Sequence, residues 1–302
     1  MRRRYYILDV FTDVALAGNP LAVVLDSDGL QSARMQAIAR EFNLSETVFV
    51  RDPRDPVNTA AARIFTPARE LPFAGHPTVG TAVLLAELRA PDMLRAQDLR
   101  VVLEEQIGDV VCVARRPKGQ AARASFTLPR LPEEIAPAAS REALAAALSI
   151  APEDIGFDRH GPSVFSAGLG FTFVPLASLD AVKRARPNLE HWTSIQPADH
   201  ANAFVYARGG EREGSDFHAR MFAPDLGVME DPATGSAVAA FSGVLTRFEE
   251  PPDGEHVAVI EQGFEMGRPS LITLGLTIER ERLTSATIGG AAVIVMQGTI
   301  DA

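Results

Sequence analysis

The feature that most constrains this chain is a repeat. Gly75-His76-Pro77-Thr78-Val79-Gly80-Thr81-Ala82 returns as Glu230-Asp231-Pro232-Ala233-Thr234-Gly235-Ser236-Ala237, with proline, glycine and hydroxyl residue all displaced by 155 positions. Upstream, Arg63-Ile64-Phe65-Thr66-Pro67 is echoed by Arg220-Met221-Phe222-Ala223-Pro224, displaced by 157. Two blocks recurring in the same order define a duplicated domain, and any architecture must accommodate that self-similarity first.

Each copy sets up the same local physics. Proline at the first helical position gives up no hydrogen bond and arrives with its φ preset. The pattern therefore predicts helices starting at Pro77 and Pro232, the second N-capped by Asp231 and the first by His76 or Gly75. Residues 77–86 and 232–246 carry no charge. A helix apolar on every side belongs inside something, here a sheet wrapped around it. Small residues crowd both first turns: Thr78, Gly80, Thr81 and Ala82 in one copy, Ala233, Gly235, Ser236 and Ala237 in the other. Glycine destabilises a helix by about 1 kcal/mol relative to alanine, so bulk must be unwelcome there. Helix starts offer unpaired N–H groups and partial positive charge, which suit an anion. Two of them related by a pseudo-twofold would cradle a carboxylated small molecule between the halves. Tight helix packing would explain one copy; two copies, each beside an ionisable residue, favour a site.

The remainder is rich in short strands. They are expected at 6–12, 21–25, 47–50, 61–65, 101–103, 109–113, 171–175, 203–207, 217–222, 257–260, 271–276 and 291–295, with turns at Ala17-Gly18-Asn19-Pro20 and Gly108. A helix over 32–41 has apolar residues at Met35, Ile38 and Ala39 and a stop at Asn43; another covers 140–148. The expected fold class is α+β, with two pseudo-symmetric halves, each a curved, mostly antiparallel sheet or barrel around a central helix. A shift to Pro, Ala and Glu over 129–152 puts the junction near Pro117-Lys118-Gly119 or Pro129-Arg130. The expected division is residues 1–118, completed by a C-terminal strand near 288–302, and residues 119–287.

Composition excludes several functions. With 29 basic and 39 acidic residues the net charge is −10, which opposes a nucleic-acid groove. No apolar stretch approaches the ~18 residues of a membrane span. Arg2-Arg3-Arg4 runs into Tyr5-Tyr6-Ile7-Leu8-Asp9, where the acid interrupts any secretory signal. A soluble, cytoplasmic protein is the expectation. The single cysteine, Cys112, rules out an intrachain disulfide or a thiolate zinc cluster and reads as a small buried side chain in a strand. Neither His-Glu-x-x-His spacing nor a dinucleotide fingerprint occurs, so no metal and no cofactor are expected. The pairs Glu104-Glu105, Glu133-Glu134 and Glu249-Glu250 read as water-facing charges without a role.

Five blocks together resemble the signature of a known family: Gly18-Asn19-Pro20-Leu21-Ala22-Val23-Val24, Asn43-Leu44-Ser45-Glu46-Thr47, Phe73-Ala74-Gly75-His76-Pro77-Thr78-Val79-Gly80, the segment from Glu230 to Ser236, and Met266-Gly267-Arg268-Pro269-Ser270. The family is the phenazine-biosynthesis isomerase (PhzF-like) family, within the diaminopimelate-epimerase-like superfamily. The resemblance implies a cofactor-free active site between two similar halves, a homodimer, and isomerisation of a dihydro-hydroxyanthranilate by proton shuttling. It also implies that Glu46 is the catalytic acid/base, that His76 and Asp231 are polar catalytic groups, and that Asn19, Ser45, Gly75, Gly235 and Ser236 bind substrate.

On its own a loop glutamate is a solvated charge. As a proton shuttle it works best with a pKa lifted towards neutrality, which burial between apolar domains would supply. A histidine at a helix start is kept neutral by the positive helix end and can relay protons. The closest rivals, two-base racemases and epimerases, need a cysteine in each half. Cys112 stands alone, outside both motifs. Epimerisation by carboxylates or His76, and a non-catalytic binding protein on the same fold, stay open as alternatives.

Overall fold

Alternating β-branched and aromatic residues pair edge to edge around the charge-free helices. The computed structural model describes residues 1–193, 195 and 202–302. These divide into one unit of Met1–Thr127 with Gly289–Ala302 and another of Leu128–Ile288.

In the first unit eight strands close on themselves. In order around the sheet they are β17 (Arg282–Asp301, belonging to this unit from Gly289 on), β1 (Arg2–Val10), β2 (Asn19–Val24), β3 (Glu46–Arg51), β4 (Ala60–Phe65), β6 (Leu99–Glu105), β7 (Gly108–Arg115) and β8 (Arg123–Thr127), which returns to β17. Closure removes the exposed edges that invite aggregation. Only β2–β3 and β4–β6 run parallel among the pairs in this ring with a described register, and the two-residue β5 (Glu70–Leu71) extends β4. Inside runs α2 (Gly75–Arg89), buried continuously from Gly75 to Ala86. Gly80 shows why bulk is unwelcome: a Cβ there would lie 2.6 Å from Leu21 Cδ2 and 2.7 Å from Val10 Cγ2. Outside the barrel, α1 (Ser32–Phe42) packs Met35, Ile38 and Ala39 against Val24, Phe49 and Phe65. It stops at Asn43, whose φ of 52° is left-handed, as its residue type predicts. The short α3 (Pro91–Ala96) follows α2.

The second unit repeats this plan. Its strands pair in the order β9 (Glu133–Ala136), β10 (Ser163–Ser166), β11 (Gly170–Pro175), β12 (Ala203–Arg208), β13 (Phe217–Ala223), β15 (Gly254–Gln262) and β16 (Ser270–Glu279). Parallel pairs β11–β12 and β13–β15 fall where β2–β3 and β4–β6 fall in the first unit. The short β14 (Val228–Asp231) lies on β13, as β5 lies on β4. Within this sheet α7 (Gly235–Glu249) is buried from Ala237 to Leu245. Its Phe241 ring sits 4.8–5.7 Å from the rings of Tyr206, Phe217, Phe173 and Phe204. Against the outer face lie α4 (Arg141–Leu148), capped by Ser140, then α5 (Leu179–Arg184) and α6 (Leu189–Trp192).

The duplication holds residue by residue. Ala60↔Leu103 and Ala61↔Glu104 in one sheet become Phe217↔Ile260 and His218↔Glu261 in the other, an offset of 157 throughout. The helix starts depart from expectation. Neither proline occupies the first helical position: α2 begins at Gly75, two residues before Pro77, and α7 begins at Gly235, three after Pro232. Ala74 stands at the α2 N-cap without a side-chain bond, so neither His76 nor Gly75 caps it. Thr234 stands at the α7 N-cap, while Asp231 ends β14.

Candidate active site

In the first unit the turn between α1 and β3 delivers Glu46 as the first residue of β3, opposite Leu21 of β2. The α2 start delivers His76, and the two side chains meet: Nδ1 of His76 lies 3.4 Å from Oε2 of Glu46. The carboxylate is 17% exposed and the imidazole 6%. Burial pulls the His76 pKa down to about 3, opposed by the Pro20 carbonyl. At neutral pH the couple is therefore a carboxyl beside an uncharged imidazole, a pairing able to pass a proton without first breaking a salt bridge. Asn19 is fully buried at the head of β2, one residue from that carbonyl. Its neighbour Gly18 has φ 65° and would drive a Cβ to 2.4 Å from the Val10 carbonyl oxygen, so only glycine fits this turn. Ser45 sits half-buried just before Glu46. Gly75 is buried in the first turn of α2, where amides have no partner within the helix.

In the second unit Asp231 is buried and its Oδ2 accepts the Thr234 hydroxyl at 2.6 Å. Gln262 knits the same turn together. Its Oε1 accepts the Thr234 amide at 3.1 Å, and its Nε2 donates to the Asp231 carbonyl at 2.6 Å and to Thr234 Oγ1 at 3.0 Å. Gly235 is buried at the head of α7, and Ser236 beside it is half-buried. The structure thus brings Glu46 and His76 into contact in one unit, and gathers Asp231, Gly235 and Ser236 at the α7 start in the other.

Glu104 and Glu105, read from the sequence as water-facing, are both buried. Glu104 accepts the amides of Arg54 and Asp55 and the Asn58 side chain, and these bonds draw its pKa down to about 2. Its counterpart Glu261 accepts the amides of Glu211 and Arg212 in the same way. Glu105 bonds Thr78 Oγ1 at 2.7 Å, and burial lifts its pKa to about 8. Glu133 and Glu134 are exposed as expected, whereas Glu249 joins His160 and Arg208. A second group outside the sequence reading is His218, fully buried between Glu261 at 2.6 Å and Glu265 at 2.8 Å. The two carboxylates outweigh its desolvation and raise its pKa to about 9. The repeat itself held the signal for Glu104 and Glu261, since the 157 offset that aligns Arg63 with Arg220 aligns them too. Cys112 is buried in β7, and burial pushes its thiol far up, away from nucleophilic use. Among the described residues no group of three or more His, Cys, Asp or Glu is placed to hold a metal ion, and no helix is long and apolar enough to cross a membrane.

Known proteins resemble the chain along almost its whole length. Residues 8–298 match the phenazine biosynthesis-like protein family. The chain is 49% identical over 302 residues to an uncharacterized isomerase of Mesorhizobium japonicum, covering 99% of this chain and 98% of that one. It is 38% identical over 297 residues to the trans-2,3-dihydro-3-hydroxyanthranilate isomerase of Pseudomonas fluorescens, covering 98% of each. The crystal structure of a Bacillus anthracis phenazine biosynthesis protein of the PhzF family superposes with a TM-score of 0.89 at 27% identity, over 100% of both chains. The fold is of the diaminopimelate-epimerase-like type. The chain belongs to the PhzF-type phenazine biosynthesis-like family and is an enzyme of the isomerase class.

Proposed function

We propose that this isomerase moves a proton between two carbons of a small carboxylated substrate, cyclic or amino-acid-like, with Glu46 as the acid/base and no cofactor. The observation that carries the reading is the contact between Glu46 and a neutral, buried His76. Glu46 takes the proton from one carbon and returns it to another on the same face. The imidazole relays or steadies that proton while remaining uncharged. Asp231 acts as the second polar catalytic group. The amides at Gly75 and Gly235 and the Ser236 hydroxyl bind the substrate carboxylate, as helix starts favour anions, with Asn19 and Ser45 lining the substrate.

The known activity of the Pseudomonas fluorescens relative makes a dihydro-hydroxyanthranilate the first substrate to try. With it, Glu46→Gln is expected to lower kcat by roughly 10²–10⁴-fold with little change in the melting midpoint. Turnover at the wild-type rate would refute the role of Glu46. The protein is further read as a cytoplasmic homodimer that acts without nucleic acid or membrane. Light scattering on the purified chain checks its oligomeric state.

A further inference from the structure

Glu105 is a buried carboxyl group that the proposed chemistry does not use. It ends β6, and its only hydrogen bond among the described residues joins its Oε1 to Thr78 Oγ1 at 2.7 Å. Its Oε2 is buried without a hydrogen-bond partner. Thr78 Oγ1 also lies 2.8 Å from the Ala74 carbonyl oxygen. A hydroxyl has one proton, and a carbonyl can only accept. Once Thr78 donates to Ala74, the second short contact needs a proton from the other side. An ionised Glu105 could not provide it and would leave a charged oxygen buried without a donor.

The second copy makes an analogous contact with a group that cannot ionise, although its hydroxyl comes from Thr234, one position beyond Ala233, the counterpart of Thr78. Gln262 occupies the position equivalent to Glu105 at the end of the matching strand. Thr234 Oγ1 donates to Asp231 Oδ2 and accepts from Gln262 Nε2 at 3.0 Å. An amide donor in one copy thus stands where the other carries a carboxyl.

We propose that Glu105 is held as a neutral carboxylic acid whose proton bonds Thr78, and that this bond makes it a positioning residue for the start of α2, which carries Gly75 and His76. The groups facing Glu105 fit a neutral acid. From β7 comes the Cys112 thiol, kept protonated by its own burial; from α2 comes the Thr78 hydroxyl. Its chain neighbour Glu104 is turned to the Arg54–Asn58 loop. Burial lifts Glu105 to about 8, so the acid form persists at neutral pH.

The test compares the full-length wild type with Glu105→Gln, which supplies the amide donor seen at Gln262. A carboxyl whose folded pKa is raised keeps its proton while the unfolded chain releases it. Wild type therefore loses stability from about pH 4.5 up to about pH 8, and the curve then levels. The variant lacks this segment, so its folding equilibrium gains on wild type by roughly tenfold per pH unit between pH 5 and 7. His218 titrates in both proteins and cancels in the difference. Infrared spectroscopy should find a protonated-carboxyl band in wild type at neutral pH that is lost above about pH 8 and missing from the variant. NMR of the His76 ring, which itself stays neutral, should show a shift with a midpoint near pH 8 in wild type and none in the variant.

Parallel stability curves, or wild type without the band, would overturn the neutral acid. A His76 resonance flat across that range would overturn the positioning role. Should the variant fail to fold, the wild-type infrared and NMR titrations decide both points. None of these readouts depends on turnover, so their failure is distinct from failure of the proposed isomerisation.

Discussion

The two copies of the repeat share a frame and differ in what they do with it. The first unit carries Glu46 as the first residue of β3, while just before β12 the second carries Asn202, whose side chain bonds the Gly170 carbonyl at 3.1 Å. At the end of the strand beneath each helix the first unit carries Glu105 and the second Gln262. At the neighbouring position of the fourth strand the order reverses: Ala61 in the first unit, His218 between two carboxylates in the second. The first copy thus keeps carboxyl groups beside its helix start. The second carries amides at those two positions, keeps the Asp231 carboxyl at its own helix start, and buries His218 between Glu261 and Glu265. Duplication preserved the devices that build the fold, such as Glu104 and Glu261 holding matching turns, and let the proton-carrying residues diverge.

The largest test of this contrast gives the second copy the residue of the first. His218→Ala leaves Glu261 and Glu265 without their shared partner, and breaking a buried pair costs about 3–5 kcal/mol. Denaturant titration should show that loss at pH 6. The folded pKa of His218 lies above its ordinary value, so its contribution is complete below about pH 6.5 and fades as pH rises to about 9. The gap between wild type and variant should therefore narrow on going from pH 6 to 9. A constant gap would mean that the imidazole is not charged in the folded protein.

A smaller test compares the interiors. The helix of the first unit rests on aliphatic ends at Gly80, whereas in the second Gly243 faces the Phe165 ring, 2.6 Å from where a Cβ would sit. Overpacking costs about 1–3 kcal/mol, and alanine recovers about 1 through helix propensity. Gly80→Ala should fall near the lower end of that range in thermal unfolding, because Leu21 and Val10 can rotate. Gly243→Ala should fall near the upper end, because a ring packed among rings cannot. An effect as small as that at Gly80 is expected at Arg63, whose pair with Glu70 is about one-fifth exposed. Arg63→Met should cost about 1 kcal/mol. A loss as large as that at His218 would show that the first copy also depends on buried charge.

The architecture was legible because it rests on local patterns. The charge-free runs after Pro77 and Pro232 predicted helices inside sheets, and Asn43 marked the end of α1 at a left-handed residue. The helix starts were displaced because Ala74, in extended backbone, and Thr234, also non-helical with φ −112° and ψ 86°, open the turns, which proline placement alone does not reveal. Glu104-Glu105 looked like a solvated pair because what satisfies each lies far along the chain, at Arg54–Asn58 and at Thr78. The His218 network was invisible for the same reason, its partners lying more than forty residues away. Buried polar groups are defined by partners, and partners are set by pairing register rather than by neighbours in sequence.

The central claim is that Glu46, beside a neutral His76, carries a substrate proton between carbons. Turnover of a dihydro-hydroxyanthranilate in deuterated water, followed by NMR of the product, tests it most directly. The account predicts deuterium at the newly protonated carbon, or partial retention of the original hydrogen there, with both pathways silent in Glu46→Gln. Isomerised product formed at an undiminished rate by Glu46→Gln, with the same labelling as wild type, would contradict it.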